Sequence, residues 1–457
     1  MAVMTASVTT PVADPPRAAA RHSVVLFVLL GVGFMLSVDF SILNVALPGA
    51  GAGVGLDRAD LAWITSTFAL PAAGFTLLFG RLGDLFGRRR LLLLGMALLA
   101  GASMLGGLAA GPRTLLLARA LQGLATAMAI PSAMSLLTTT FAEGPRRDRV
   151  LGLNGALACG GFTVGALLGG TLVTALGWRA AFFVNVPVAV AALLVTPFVI
   201  IESRAATRPR LDVPGAVTVT GGLLAVVYAV IERSLSASAV GVVLLVAFWL
   251  VERRASAPLV PPRILARPSV RWGNVAGLVT CGLVPAMIFM VTLYLQQVLG
   301  LSPLMTGLVL GVPGLASVAA GVVAGRAIGR FGPRPVLTVA MVASGLTTIA
   351  LLFTSADRLS LVIVVPALFV AFFGHVAAMV AYTVTGTSGL PNGEQGLATG
   401  LTSMTQQVAG AVGIPVLSAI GATQVAQLAG LRLALGVDVV VTLVSAGLVW
   451  RGLRKLS

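Results

Sequence analysis

The sequence is poor in charged residues. Only 10% of its 457 residues are charged, and 58% are hydrophobic, with a mean hydropathy of +1.03. The apolar fraction of a soluble domain is about 45–50%. An ordinary soluble domain is therefore excluded, and the composition predicts an all-α protein that crosses a membrane many times.

Cysteine and histidine are equally scarce, with two residues of each. Cys159 and Cys281 both fall in apolar runs, which argues against a disulfide framework or a metal site. The sequence has no pair of carboxylates at membrane depth and no long loop that could carry a soluble domain. We therefore expect no enzyme activity, no cofactor and no obligate protein partner. The net charge of +16 would suggest nucleic acid in a soluble protein, but in a membrane protein it reports topology instead.

Apolar runs of about 20 residues are long enough to cross a hydrocarbon core of about 30 Å. The first run, 24–47, is too long for a signal peptide. Fourteen membrane helices are predicted, at 24–47, 60–80, 91–110, 113–136, 151–174, 180–201, 213–233, 236–251, 270–295, 305–325, 336–354, 360–386, 398–421 and 431–450.

The basic residues orient these helices. With the N-terminus in the cytoplasm, 23 of the 30 basic residues lie on the cytoplasmic side and six on the other, as the positive-inside rule requires. Both termini are therefore predicted to be cytoplasmic. The chain has a single lysine, and its wealth of Arg, Ala, Gly and Val indicates a GC-rich bacterial genome, hence the bacterial plasma membrane.

An internal repeat divides the chain. The segment Gly325–Arg334 realigns on Gly80–Arg89 at an offset of 245 residues, and the same offset superposes three of the predicted helices on later ones. Parallel repeats of this kind are known in transporters. The predicted organisation is a disordered tail over 1–23, a six-helix bundle over 24–201, a linker with two extra membrane helices over 202–269, a second bundle over 270–450 and a tail over 451–457.

One charged stretch between apolar runs, Gly80–Arg90, stands out chemically. Its glycines allow backbones to approach closely, and its carboxylate sits among arginines. Plain positive-inside charges would need neither the aspartate nor the glycine spacing. We predict a gating loop formed by Gly80, Gly83, Asp84, Gly87, Arg88 and Arg89.

Asp39 is the best candidate for a proton-carrying group. A carboxylate inside a membrane helix costs about 2.5–3.5 kcal/mol on insertion scales and needs a partner, water or a proton. Arg119 is the only basic residue deep in a predicted helix. At 1.5 Å per residue, Asp39 lies roughly 13 Å and Arg119 roughly 9 Å from the outer ends of their helices. We therefore expect the two to pair, either for proton coupling or as a purely structural ion pair.

Other polar or glycine positions carry weaker signals. Gly161, Gly165 and Gly169, followed by Gly170, line one helix face, for close packing or as a conformational pivot. His375 could relay protons or be a core histidine satisfied by a hydroxyl or carbonyl, and Asp438 is expected to snorkel near the outer interface. Candidate substrate-cavity residues, which could equally bond helix to helix, are Asn44, Gln122, Asn154, Gln296, His375 and Gln406.

Several of these stretches together resemble the major facilitator superfamily. Gly80–Arg90 is similar to its loop motif, which in that family helps to lock one gating state. Asp39–Pro48 resembles the first-helix motif of its fourteen-helix drug:proton antiporter branch, and Leu115–Gly123 resembles the fourth-helix motif. Gly161–Gly170 resembles the fifth-helix antiporter motif.

Further matches to this branch follow in order at Gly177–Pro187, Tyr294–Pro303 and Glu394–Gln407. The chain departs from it at Ala166, where proline is usual, and at Phe68, where a tyrosine is common. The resemblance implies a major facilitator fold of two six-helix bundles with two extra central helices. It also implies a proton-coupled exporter of lipophilic drugs, antibiotics or a natural product, whose other partners are protons and the lipid bilayer. A proton-coupled importer or metabolite carrier on the same fold remains open.

Overall fold

The computed structural model describes residues 16–57, 60–141, 145–204, 212–255, 258, 262–388 and 392–456. Within them, sixteen α-helices follow one another: α1 Pro16–Val54, α2 Leu61–Phe86, α3 Arg88–Gly107, α4 Pro112–Thr140, α5 Pro145–Leu176, α6 Ala180–Phe183, α7 Asn185–Val199, α8 Val213–Glu232, α9 Leu235–Arg254, α10 Pro262–Leu265, α11 Pro268–Leu293, α12 Pro303–Phe331, α13 Pro333–Leu351, α14 Leu361–Thr387, α15 Asn392–Gly421 and α16 Gln427–Gly452. A π-helical turn, Tyr294–Val298, continues α11.

Thirteen of the predicted membrane spans each fall on one of these helices, and the span 180–201 falls on the successive helices α6 and α7. Eleven helices in the described part of the chain are long and apolar enough to cross a membrane, and α2, bent by 52° after Thr76, makes twelve if it counts as one span. The other two predicted spans lie on α5, whose stretch Gly160–Leu176 is a shorter apolar helix, and on α15. The all-helical class is confirmed, and the count of fourteen spans stays a prediction.

The first helix is longer than predicted. α1 begins at Pro16, so residues 16–23 are helical where the sequence predicted a disordered tail, and residues 1–15 lie outside the described part. Proline is favoured in the first helical turn, where its missing N–H costs nothing. The alanines at 18–20 that follow are the strongest helix formers, which explains the extension.

The two halves contact each other through two helix pairs, each made of one helix from each half. α5 packs along α12, and α2 packs along α15. The 245-residue offset places α2 on α12 and α5 on α15, so each contact is the repeat of the other. Two parallel repeats related by a pseudo-twofold axis produce this arrangement. α8 packs against both α2 and α15.

The buried core differs between the two ends of the bundle. At the end opposite the α2–α3 turn, a single cluster of buried residues joins both halves, with members such as Val45 on α1 and Phe289 on α11. At the α2–α3 end each half has its own core, centred on residues such as Leu92 in the first half and Leu337 in the second. The halves are therefore joined by one core at the first end. A further cluster connects them between α2, α8 and α15, with members Leu70, Val219 and Leu401.

The glycine stripe is a packing surface between α5 and α1. A Cβ built on Gly161 would lie 2.8 Å from the Phe34 carbonyl oxygen, and one on Gly165 would lie 2.6 Å from that of Val38. Gly169 repeats the contact at Ile42, whereas Gly170 faces α12 instead. Two of the contacted residues, Val38 and Ile42, flank Asp39, so the stripe fixes the position of the proton-carrying candidate.

We expect Gly165→Ala to destabilise the protein by about 1–3 kcal/mol, the cost of overpacking a close backbone contact. The matched control is Gly160→Ala on the same helix, since a Cβ there meets nothing within 4 Å. Denaturant titration of both variants in detergent micelles measures the free energy of unfolding. If the two variants are equally stable, the α1–α5 contact is looser than the structure shows.

Candidate functional site

A buried ion pair joins α1 to α4. The Arg119 Nη1 lies 3.5 Å from Asp39 Oδ2, and both side chains are almost fully shielded, with 1% of Arg119 and none of Asp39 exposed. The structure thus brings together the two residues whose depths the sequence compared. A buried ion pair needs further hydrogen bonds to offset the cost of desolvation, and both partners have them.

Besides Asp39, three groups contact the Arg119 guanidinium. Its Nε donates to the Ile64 carbonyl oxygen at 3.1 Å, and its Nη1 donates to Gln122 Oε1 at 2.8 Å. The guanidinium lies 4.3 Å from the centre of the Phe68 ring, a cation–π contact. Phe68, one of the two positions at which the chain departs from the antiporter pattern, therefore contacts Arg119 through its ring face.

Asp39 has a second partner that the sequence did not single out. Asn185, at the start of α7, donates its side-chain N–H to Asp39 Oδ1. The only indication of it in the sequence was that its amide side chain lies inside a predicted membrane span, 180–201. Gln122 extends the network by donating to Ser103 Oγ at 2.9 Å. Side chains from α1, α3, α4 and α7 and a carbonyl of α2 thus form one buried polar network.

This network makes proton access conditional on movement. Asp39, Gln122, Asn185 and Ser103 have no exposed surface. A carboxylate in this position exchanges a proton with solvent only when the helices around it separate. The site can therefore link the protonation of Asp39 to a change in helix packing.

The predicted gating loop spans the end of α2 and the start of α3. Arg88 donates from Nε and Nη2 to Asp84 Oδ1, at 2.9 and 2.7 Å. Gly80 and Gly83 lie within α2, and Gly87 joins the helices with a φ of +118°, a region that favours glycine.

Glu202 is a second residue that the sequence did not indicate. It lies in the segment after α7 and binds to the predicted gating loop. Its carboxylate accepts the backbone N–H groups of Arg89 and Arg90, at 3.0 and 3.3 Å. A Cβ on Gly87 would lie 2.6 Å from its carboxyl carbon. Carboxylates are stabilised at helix N-termini, so Glu202 anchors α3 to the end of the first bundle. No motif in the sequence indicated it.

The candidate cavity residues do not form one group. Asn44 is buried and donates to the Phe40 carbonyl oxygen. Gln296 donates to the Val45 carbonyl oxygen at 2.9 Å and so joins the halves at the end where they share one core. Half-buried positions are occupied by Asn154, which lies beside Gly33, and by Gln406 on α15.

His375 is hydrogen-bonded to the backbone of Thr280. Its Nδ1 is buried without a hydrogen-bond partner in the described part of the chain, and a role in proton relay stays a prediction.

Asp438 differs from the expectation. It was expected to snorkel to the outer interface, but only 4% of it is exposed and it accepts a hydrogen bond from Thr442 Oγ1 at 3.0 Å. There are two reasons. The sequence predicted a span beginning at 431, whereas α16 begins at Gln427, so Asp438 lies deeper in its helix than expected. The sequence also did not predict the face on which it lies, which borders residues of α11 and α13.

Comparison with known proteins identifies relatives of this architecture. Residues 29–414 match the family model described as the Major Facilitator Superfamily. The chain is 36% identical over 413 residues to the puromycin resistance protein pur8 of Streptomyces alboniger, covering 87% of this chain and 82% of that protein. It is 37% identical over 403 residues to the cephamycin export protein CmcT of Amycolatopsis lactamdurans, covering 84% and 82%.

Solved structures agree on the fold. A peptide transporter POT in complex with sulfate superposes with a TM-score of 0.69 at 17% identity, covering 93% of each chain. A variant of the nucleoside transporter NupG gives 0.67 at 11% identity, covering 93% of this chain and all of that one. At such low identity these matches show the fold alone.

Proposed function

This chain belongs to the Major Facilitator Superfamily, and we propose that it exports lipophilic drugs, antibiotics or an endogenous natural product in exchange for protons. The observation that carries the coupling is the buried Asp39–Arg119 pair with Asn185 as a third member. The direction of transport rests on relatives whose names describe antibiotic resistance and export.

The names of the relatives favour export over import. The four relatives at 30–37% identity that first match this chain are named for puromycin resistance, cephamycin export, tetracenomycin C resistance and export, and multidrug resistance. The chain covers three quarters or more of each of them. The carrier performs no covalent chemistry and needs no cofactor, because its driving force is the proton gradient.

The proposed location is the bacterial plasma membrane, with both termini in the cytoplasm. In this orientation the α2–α3 turn is cytoplasmic, and the end at which the halves share one core is the outer end. The conformation is then closed to the outside. Towards the cytoplasm each half has a core of its own, and α2 and α15 stay in contact with each other and with α8.

Proton exchange at Asp39 would drive the cycle. Protonation removes the charge that Arg119 and Asn185 stabilise, so it weakens the link of α1 to α4 and α7. Deprotonation restores it. Because Val38 and Ile42 pack on the glycines of α5, a shift of α1 is transmitted to α5 and from there to its partner α12 in the second half.

Transport into everted membrane vesicles tests this function. We expect puromycin, tetracenomycin C or a lipophilic dye to accumulate in vesicles that contain the protein only while their interior is more acidic than the medium. Collapse of the pH gradient with nigericin should release the accumulated compound. Vesicles from cells without the protein are the control. Absence of gradient-driven accumulation for every compound would overturn export and favour the importer.

A further inference from the structure

The second half contains a buried carboxyl group that the Asp39 mechanism does not use. Asp438 lies in α16 with 4% of its surface exposed, and its described hydrogen bond comes from Thr442. It borders a cavity of about 10 Å³ between α11, α13, α14 and α16, whose other polar lining residues are Thr280, Ser344, Thr348 and Thr442. Such a space has room for about one water molecule.

This cavity occupies the place in the second half that the Asp39 network occupies in the first. The 245-residue offset carries Asp39 to Val284 and Ser103 to Thr348. Thr126, whose hydroxyl donates to the Gln122 carbonyl oxygen at 2.9 Å, is carried to Ala371. All three counterparts line the cavity. The same place in the second half is thus polar as well, with its carboxyl group on the last helix of the bundle instead of the first.

The second site differs from the first in having no cation. The counterpart of Arg119 is Val364, and none of the lining residues is basic. The ionisable residues on the packed helices lie outside the lining: Arg271 and Cys281 on α11, Arg334 on α13, His375 and Tyr382 on α14, Arg432 and Arg451 on α16 itself, and Glu394, whose side chain is not described, on α15. An ionised carboxylate without a compensating cation is costly to bury. Asp438 is thus more easily accommodated as the neutral acid.

The lining also supplies an acceptor for the acid proton. Ser344 is 7% exposed, and its Oγ is buried without a hydrogen-bond partner. A protonated carboxyl is a donor, whereas an ionised one only accepts. The donor from Thr442 suits the ionised form, and the hydroxyl oxygen of Ser344 can accept from the protonated form. The cavity therefore has partners for both states of Asp438.

We propose that Asp438 is a second proton-binding carboxyl of the transport cycle, which gains and releases one proton within the hydroxyl-lined cavity between α11, α13, α14 and α16. No other bond changes in this step. The proposal rests on the proton-coupled export proposed above and sets its stoichiometry at two protons per substrate, one for each half.

His375 lies one turn from the lining residue Ala371 and bonds to Thr280, which places it between the cavity and the α2–α3 end.

Infrared difference spectroscopy of the purified full-length protein tests Asp438 without any substrate. In the Asp39→Asn background, the carbonyl band of a protonated carboxyl should still titrate with pH, and Asp438→Asn should remove it. The exposed carboxylate variant Asp357→Asn is the matched control and should leave the band unchanged. If Asp438→Asn does not fold, Thr442→Val should shift the titration towards higher pH, because it removes the donor to the ionised form.

A band that Asp438→Asn or Thr442→Val leaves unaltered would overturn the proposal. A titration of this band that moves with the sodium concentration would overturn it too, since it would assign the cavity to a metal cation.

Transport then tests the stoichiometry. With a neutral substrate and a gradient of about one pH unit, two coupled protons allow an accumulation of about 100-fold and one proton about tenfold. We expect Asp438→Asn to lower the limiting accumulation about tenfold while transport down a substrate gradient persists. A wild-type limit of about tenfold, unchanged in the variant, would refute the second proton. If the wild type accumulates no compound but the band titrates, export fails and the assignment of Asp438 stands.

Discussion

Asp39→Asn is expected to remove one proton from the coupling and so to lower accumulation driven by the pH gradient, while leaving substrate exchange intact. Asparagine has nearly the shape of the protonated acid, so it retains a partner in Asn185 and fits the same buried position between α1, α4 and α7. It cannot release a proton, so the energy of the proton carried at this position is lost. One pH unit corresponds to about 1.4 kcal/mol per proton, and the accumulation ratio should fall about tenfold for each proton uncoupled.

Two measurements separate this outcome from misfolding. In everted vesicles, the limiting accumulation at a gradient of one pH unit should fall about tenfold, whereas counterflow of labelled against unlabelled substrate should persist. The control is Asp357→Asn, which alters a carboxylate on the exposed turn before α14 and should behave as wild type. Normal gradient-driven uptake in Asp39→Asn would move the essential proton site elsewhere, with Asp438 the first candidate.

The sequence was a good guide to features that depend on depth. Helix length and hydropathy located the spans, and the rise per residue predicted that Asp39 and Arg119 would meet. The glycine spacing predicted a single packing face, which the structure places against α1 at Gly161, Gly165 and Gly169. All of these follow from one helix at a time, where the geometry is fixed by 3.6 residues per turn.

The features missed depend on which helices touch and on how each is rotated. Asn185 reaches Asp39 across 146 residues of sequence, and Glu202 reaches the α2–α3 turn across 113. Asp438 was placed at the interface because the start of its helix was predicted too late, at 431 and not at Gln427, and because the direction of its helix face was not predicted. Gly170, although next to Gly169, faces a different helix. Rotation and pairing are set by packing among all the helices and leave little local trace.

Arg119→Leu is expected to have the largest effect on stability. It leaves Asp39 as a buried carboxylate without a cation and also leaves the Ile64 carbonyl oxygen and Gln122 Oε1 without the donor described above. Removing one partner of a buried ion pair costs about 3–5 kcal/mol, because the remaining charge is uncompensated. Denaturant titration in detergent micelles measures the loss. Stability equal to wild type would show that Arg119 does not compensate Asp39.

The double variant Asp39→Asn/Arg119→Leu and the single variant Asp39→Asn together distinguish a structural ion pair from a proton-coupling site. If the cost of Arg119→Leu comes from the charge left on Asp39, adding Asp39→Asn should recover part of it, giving a coupling energy of about 0.5–3 kcal/mol. A structural ion pair and a coupling site both predict that recovery, but they differ in the single variant Asp39→Asn. A structural pair requires Asp39→Asn to lose stability in proportion to its loss of transport. A coupling site requires a stable protein that exchanges substrate and whose accumulation at one pH unit falls about tenfold, because the proton, and not the ion pair, is what the cycle consumes.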